Sequence, residues 1–432
     1  MRKKVLFVGF QMMSVCLLVW GQASTPAPII LDVGQAEALA LKNNPAITVA
    51  RLDALAQQQV ARQVRSSLWP QAAANLTAVD IKDNSRITAG ALNNPTVLDR
   101  AAGGVAVSQL ITDFGHSTNQ AASARLHAQA EEQYAIATRE QVLIAVDQSF
   151  YRALQTQALV KVAQETVTTR QTVADQISAL TKSKLKSDLD LSFANVNLAQ
   201  AKLLLLDAEN DQKAAQASLA AILGFQSVPS MTLVEDSSAA IAPLSDIDEA
   251  VRVALAKRPE VLGLDFDVQS AAKNRAAQKD LFFPTISAVG VVGGAPVRSD
   301  AITSWYGAIG VNMQIPVFNG FLFSSRAHEA ELREQAQQSR LADLRNRIAR
   351  DVRTSWLNAN SSYEKLSVTK QLLDQANLAL DLAQTRYSLG LSSIVELSQA
   401  QLQQTQAAIS NTTAQYDYRF ALAQLQFQMA GK

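Results

Sequence analysis

The side chains able to do chemistry are few and scattered. Asp113, His116 and Ser117 stand close together and are the residue types of a nucleophilic triad, and His127 and His328 complete the histidines. A metal site needs several His, Cys, Asp or Glu at ligand spacing. His127 follows His116 by about three helical turns, with no Cys or carboxylate cluster beside either. Polar residues entering a helix account for Asp113, His116 and Ser117 more simply than catalysis does. The one cysteine, Cys16, lies in the apolar N-terminal stretch, and no Gly-rich phosphate loop is present. Lys plus Arg (39) nearly cancels Asp plus Glu (38), so nothing advertises nucleic acid. The sequence therefore predicts a protein that is not an enzyme, with no metal, cofactor or nucleic-acid partner. What remains are acids and bases beside helix breaks: Lys182, Lys184 and Lys186 with Asp188 and Asp190, and Arg386 with Glu396. An acid shortly after a helix start is favoured by the helix dipole alone, and a basic run there is also what a plain exposed turn looks like.

The elements that position these residues are legible. From His116 to Leu223 the chain passes without a single Gly or Pro, and from Phe321 to Ala430 it contains only Gly390. Such stretches, rich in Ala, Leu, Gln, Glu, Lys and Arg, are helical, because Gly and Pro are the residues that stop a helix. A helix of roughly 60 residues would reach about 90 Å. Each segment is expected to fold back once, at Thr181 to Asp188 and at Arg386 to Ser393, where Gly390 stops a helix and Ser187, Asp188, Ser392 or Ser393 can cap the next. Apolar positions at mixed spacings of three and four, such as Leu341, Leu344, Ile348, Val352 and Trp356, supply a packing stripe. The other faces are rich in Gln, Asn, Ser and Thr, as suits either a wetted interior or an ordinary solvated face.

The chain also repeats itself. Pro45 and Pro259 stand at the same offset, 214, as Pro70 and Pro284, and Phe150 and Trp356 stand at an offset of 206. With Arg2, Lys3 and Lys4 ahead of an apolar run that ends near Ala23, residues 1–23 read as a cleaved secretory signal, the alternative being a membrane anchor. Its removal takes the formal charge from +1 to −2 and leaves no cysteine. The chain then divides into a first repeat at 24–224, a linker at 225–245 and a second repeat at 246–432. At 48% apolar residues it has ample material for a core, which excludes disorder. Within each repeat lies a strand region. Trp305 to Ile315 alternates apolar and polar, and Gln71 to Val79, Gly104 to Thr112 and Thr285 to Val292 do so more weakly. Loops at Asp80 to Arg100 and Gly293 to Ser304 complete two hairpins. One-sided strands suit either a shared, water-filled membrane barrel or a soluble α+β protein with two small sheets.

Over essentially its whole mature length the chain resembles the TolC-like outer-membrane efflux protein family. The resemblance rests on the duplicated halves, on Asn44-Pro45 and Arg258-Pro259, on Trp69-Pro70 and Phe283-Pro284, and most specifically on Arg386-Tyr387-Ser388-Leu389-Gly390 followed by Ile394-Val395-Glu396-Leu397 and Ala400. It implies a mainly α fold with a β-barrel portion. Long antiparallel α-helical hairpins would form a trimeric α-barrel across the periplasm, and four strands per chain would join a shared twelve-stranded outer-membrane β-barrel in contact with lipid. It implies a homotrimeric exit duct for efflux or secretion, opened by a periplasmic adaptor (membrane fusion protein) and driven by an inner-membrane pump. It places Glu396, Gln399, Asp190, Asp188, Tyr387 and Arg386 at the periplasmic entrance, and Gly390, Leu391, Ser392, Lys182 and Lys184 at tips that contact the adaptor. Gln399 stands where some members carry a second acid, and Lys184 stands where the second half has Gly390, so the two tips are not expected to bind alike. Converging copies of Glu396 and Asp190 would attract cations and repel one another in a closed neck, so that opening would depend on pairing, with Arg386 and Tyr387 as partners. The rival reading is a structural or adhesive coiled-coil stalk without a pore. That stalk would carry sustained heptads of large aliphatic residues, and this chain mixes its spacing and uses many small or polar ones.

Overall fold

A computed structural model of the chain describes residues 29–80, 100–235, 246–298 and 303–430. Residues 1–23, read above as a secretory signal, and most of the first inter-strand loop lie outside the described residues. In chain order the elements are β1 (Ile29–Leu31), α1 (Val33–Asn43), α2 (Pro45–Arg65), β2 (Gln71–Val79), β3 (Arg100–Thr112), α3 (His116–Lys182), α4 (Asp188–Ile222), β4 (Met231–Leu233), α5 (Ile247–Lys257), α6 (Pro259–Asp280), β5 (Thr285–Val297), β6 (Trp305–Gln314), α7 (Leu322–Ser388) and α8 (Ile394–Ala430).

The duplication is carried into three dimensions with its register intact. Helices α3 and α7 are each 67 residues long and start 206 positions apart. At 1.5 Å per residue each spans about 100 Å. The prolines that marked the repeat open α2 and α6 at their first turns, where a missing N–H costs nothing. The residues before them tie each short helix to the end of its own half. Asn44 accepts from Ala46 N through Oδ1 and donates Nδ2 to the Ile222 carbonyl at 2.9 Å. Arg258 holds Glu260 by two guanidinium nitrogens and donates to Gln428 Oε1 at 2.6 Å. Much of the buried apolar surface of the long helices is alanine, for example Ala130, Ala153, Ala163, Ala359 and Ala383. Small side chains let helix backbones approach closely, so the hairpins are slender. Phe150, Leu219 and Leu223 form the larger core where α1, α3 and α4 meet.

Strands β2, β3, β5 and β6 form one antiparallel sheet in that order, with β2 and β6 as its edges. The two hairpins are thus joined through the β3–β5 pairing. Strand β3 begins at Arg100 and β5 runs to Val297, both longer than the alternation in the sequence suggests. The extra length is glycine-rich. Gly103 pairs with Gly294 and Gly104 with Gly293, and a Cβ at Gly104 or Gly293 would overlap the Tyr306 hydroxyl. Ladder pairing therefore extends these strands where side-chain periodicity is silent. Strands β1 and β4 were not foreseen. They pair in parallel, Ile29 with Met231 and Leu31 with Leu233, and seat part of the 225–235 segment on the first-half core.

Directly opposed residues share a face. On one face of the sheet lie Leu76, Val105, Val107, Val292, Trp305, Ile309, Val311 and Met313, all exposed, with Leu76 at 91% and Ile309 at 93%. The opposite face carries Gln71, Asn75, Thr77, Ser108, Asn312 and Gln314. Among the described residues no helix is long and apolar enough to cross a membrane.

Candidate functional site at the hairpin tips

Both long hairpins turn by the same device. Helix α3 ends with Leu185 N donating to the Leu180 carbonyl and Lys184 N to the Thr181 carbonyl, and α7 ends with Leu391 N to Arg386 O and Gly390 N to Tyr387 O. This pair of bonds is a Schellman motif, which places one residue in the left-handed region. That residue is Gly390 at φ +75° in the second half and Lys184 at φ +59° in the first. Glycine takes this conformation freely and lysine does not. The next helices start alike, Ser187 and Ser393 accepting from the backbone N–H groups of Asp190 and Glu396.

The acids then diverge. Asp190 returns to its own cap, its Oδ2 accepting from Ser187 N at 3.2 Å and Ser187 Oγ at 2.9 Å, a reciprocal capping box. Glu396 turns across the hairpin to Arg386, Oε1 lying 3.1 Å from Nε, with both side chains about half exposed. Arg386 also donates to the Leu391 carbonyl at 3.4 Å. Asp188 and Gln399 are exposed beside these acids, and Lys182, Lys184, Gly390 and Leu391 cover the outer surface of the turns. Ser392 is partly covered, and its Oγ has no partner among the described residues.

Tyr387 lies on the inner side of the turn. It is buried among Ala174, Ile177, Ala194, Leu198, Ile394 and Leu397, a cluster drawn from α3, α4, α7 and α8. The Lys186 ammonium of the first tip sits 3.9 Å from its ring centroid, a cation–π contact. Burial, with a smaller contribution from the Asp190 charge, raises the phenol above its usual value, and its hydroxyl has no partner among the described residues. So Tyr387 meets the first tip, through Lys186 and Asp190, whereas Glu396 is met by Arg386. A cleft of about 590 Å³ opens beside this cluster, bordered by Thr172, Gln176, Lys186, Asp381, Gln384 and Ser388. The Lys186–Tyr387 contact was missed at the sequence level. Its signal would have been the helical stripe that turns Tyr387 inward.

The residues that suggested a triad are parted. Asp113 caps α3, accepting from Ser117 N at 2.8 Å, while the His116 ring Nδ1 meets the Ala277 carbonyl of α6 at 2.7 Å. Among the described residues no group of three or more His, Cys, Asp or Glu could hold a metal ion. His127 instead pairs with Asp267 of α6 at 2.8 Å, and the other Asp267 oxygen accepts from Tyr134 Oη at 2.8 Å. The hydrogen bond to Asp267 raises the His127 pKa against the opposing effect of burial.

Comparison with known proteins places this geometry. The model of the outer membrane efflux protein family matches residues 38–225 and 250–431. The probable outer membrane lipoprotein SilC of Salmonella typhimurium is 23% identical over 317 residues, which are 72% of this chain and 67% of that protein. Outer membrane protein TolC of Vibrio cholerae is 23% identical over 404 residues, 89% of this chain and 87% of that one. Among solved structures, CusC superposes with a TM-score of 0.81 at 19% identity over 96% of both chains, a likeness of fold.

Proposed function

The chain belongs to the outer membrane efflux protein family, an outer-membrane exit duct with its helices in the periplasm, and from that premise we propose how it assembles and opens. The family is one of channels rather than enzymes. Three copies close the open edges of their sheets, β6 of one against β2 of the next, into one barrel whose apolar face meets lipid. The long hairpins continue that barrel as a periplasmic tunnel. The conduit is passive, and energy comes from an inner-membrane pump reached through a periplasmic adaptor that docks on the hairpin tips.

The observation that carries this reading is the sheet: two unpaired edges and an exposed apolar face, continuous with helices of 67 residues. Unpaired edges and exposed apolar faces are liabilities that a soluble protein covers, and closure into a membrane barrel removes both. A coiled-coil stalk has no use for such a sheet.

At the entrance, Glu396 and Arg386 form the breakable pair. The pair holds α8 to the turn of its own hairpin, and an adaptor that offers either residue a competing partner releases it. Asp190, Asp188 and Gln399 line the same neck, and Lys182, Lys184, Gly390, Leu391 and Ser392 face the adaptor. The test is single-channel conductance of the purified mature protein in a planar bilayer, alongside its mass in detergent, for the parent and Glu396→Ala. A trimer with discrete openings, whose conductance or cation preference changes in the variant, is the expected result. A trimer that conducts identically after the substitution removes Glu396 from the entrance. A non-conducting species in every preparation overturns the channel reading in favour of the stalk.

A further inference from the structure

About four turns up α3 from the tip, Arg170 is 6% exposed and lies between the two hairpins. Its Nη2 donates to the Gln401 carbonyl at 2.7 Å and to Thr405 Oγ1 at 3.1 Å, both on α8. Both partners are neutral, and no carboxylate among the described residues lies within ion-pair distance. Burial alone lowers its pKa, to about 10, which leaves it charged at any physiological pH. A guanidinium does not give up its proton to escape burial as a lysine can, so a buried one needs an anion.

A group beside it is left without an acceptor. Gln401 is 2% exposed, and its Nε2 has no partner among the described residues. Both residues line one cleft of about 360 Å³ between α3, α4 and α8, a volume within the range of small-ligand pockets, about 300–1,000 Å³. Its other walls mix apolar Ala201, Leu204, Leu402 and Ile409 with neutral polar side chains of Thr, Asn, Gln and Ser, and none of the residues lining it is acidic. The site is absent from the other half of the duplication. Ala376 stands 206 positions after Arg170 and is buried where the arginine would be. The fold alone therefore does not require a cation here.

We propose that this cleft binds the carboxylate of a small organic acid with an apolar body, held by Arg170 and the Gln401 amide with the hydrocarbon part against Leu204, Leu402 and Ile409. The carboxylate supplies the countercharge that Arg170 lacks and the acceptor that the Gln401 amide lacks, and the Leu204, Leu402 and Ile409 side chains favour an anion with a hydrocarbon body over chloride or sulfate. The inference holds whether or not the chain forms a pore.

The test is isothermal titration of the full mature protein, in non-ionic detergent, with benzoate and with its neutral isostere benzamide. Benzoate is expected to bind saturably at one site per chain, at least tenfold tighter than benzamide, and at least tenfold tighter to the parent than to Arg170→Met. Gln401→Leu, which keeps the charge, is expected to weaken benzoate several-fold, and it carries the test if Arg170→Met does not assemble. Equal binding of benzoate and benzamide overturns the proposal, as does benzoate affinity unchanged in a folded variant. Absence of saturable binding to the parent also overturns it, and is the result expected if an acidic side chain of a second copy already fills the cleft.

Discussion

The two hairpin tips are copies of one backbone put to different uses. Leu180 to Asp190 and Arg386 to Glu396 share the Schellman turn, the capping serine and the acid three residues after it, position for position at an offset of 206. The first tip uses its acid within itself, Asp190 closing a capping box with Ser187. It also carries strain, since Lys184 occupies the left-handed position. The second tip puts glycine there and sends its acid across the turn to Arg386, whose counterpart in the first half is Leu180. One tip is self-contained and the other is held by a pair that a competitor can open. A duplicated fold can thus keep its backbone geometry while its two copies spend the same carboxylate differently.

The sharpest way to break this comparison is to remove the difference at the turn. Gly390→Val forces a β-branched residue into the left-handed region, at a cost of about 2 kcal/mol, and should lift the Leu391 amide off Arg386. Hydrogen exchange at Leu391 should then speed by about thirtyfold. Lys184→Gly is the mirror experiment. It relieves strain against a smaller loss of chain entropy, so the Leu185 amide should become better protected, by about 1 kcal/mol or less. Were Lys184→Gly to loosen the first tip, the lysine would have to be held by contacts that outweigh its backbone.

The caps separate the tips next. Ser187→Ala removes both bonds of the Ser187 hydroxyl, at 3.0 and 2.9 Å, and leaves only the backbone half of the box, so it should cost the start of α4 about 1 kcal/mol. Ser393→Ala loses only one long bond, 3.3 Å from Glu396 N, and should cost α8 less. Further from the tips the halves differ in pH response. His127 faces Asp267 and Glu131, while its counterpart Arg333 pairs with Glu329. Because the folded pKa of His127 lies above 6.5, its contribution is complete below about pH 6.5 and is lost as pH rises through the raised value. The melting temperature should fall between pH 6 and pH 9 in the parent. That fall should shrink in His127→Arg, which keeps its charge throughout.

Much of this was legible in the sequence, for physical reasons. A run as long as His116 to Leu223 without Gly or Pro has few alternatives to helix, and Gly390 and Ser187 mark turns by chemistry that works locally. The prolines at 45, 70, 259 and 284 set the repeat because each sits where an N–H is dispensable. What could not be read depends on contacts between distant segments. Strands as short as β1 and β4 carry no periodicity, and the ends of β3 and β5, built largely of Gly and Ala, have no apolar and polar alternation to read. Asp190 and Glu396 look equivalent along the chain, and only Arg386 opposite Leu180 tells where each carboxylate goes. Arg170 looks like any surface arginine until α8 closes over it.

The smallest effect bears most directly on mechanism. Arg386 and Glu396 are about half exposed, and ion pairs in that setting couple by about 0.2–1 kcal/mol, less in high salt. A double-mutant cycle of Arg386→Ala and Glu396→Ala, read by hydrogen exchange in the first turn of α8, should return about 0.5 kcal/mol at low ionic strength and near zero at high salt. The corresponding cycle of Leu180→Ala and Asp190→Ala should return nothing, because no charge faces Asp190 from that position. A latch meant to open on contact with a partner must be weak, since a partner can displace only a pair worth less than the contact it offers. A coupling above about 2 kcal/mol, well beyond what exposed pairs deliver, would make the second tip a structural clamp like the first and remove the asymmetry. A weak, salt-sensitive coupling instead is what the proposed release of Glu396 by an adaptor requires.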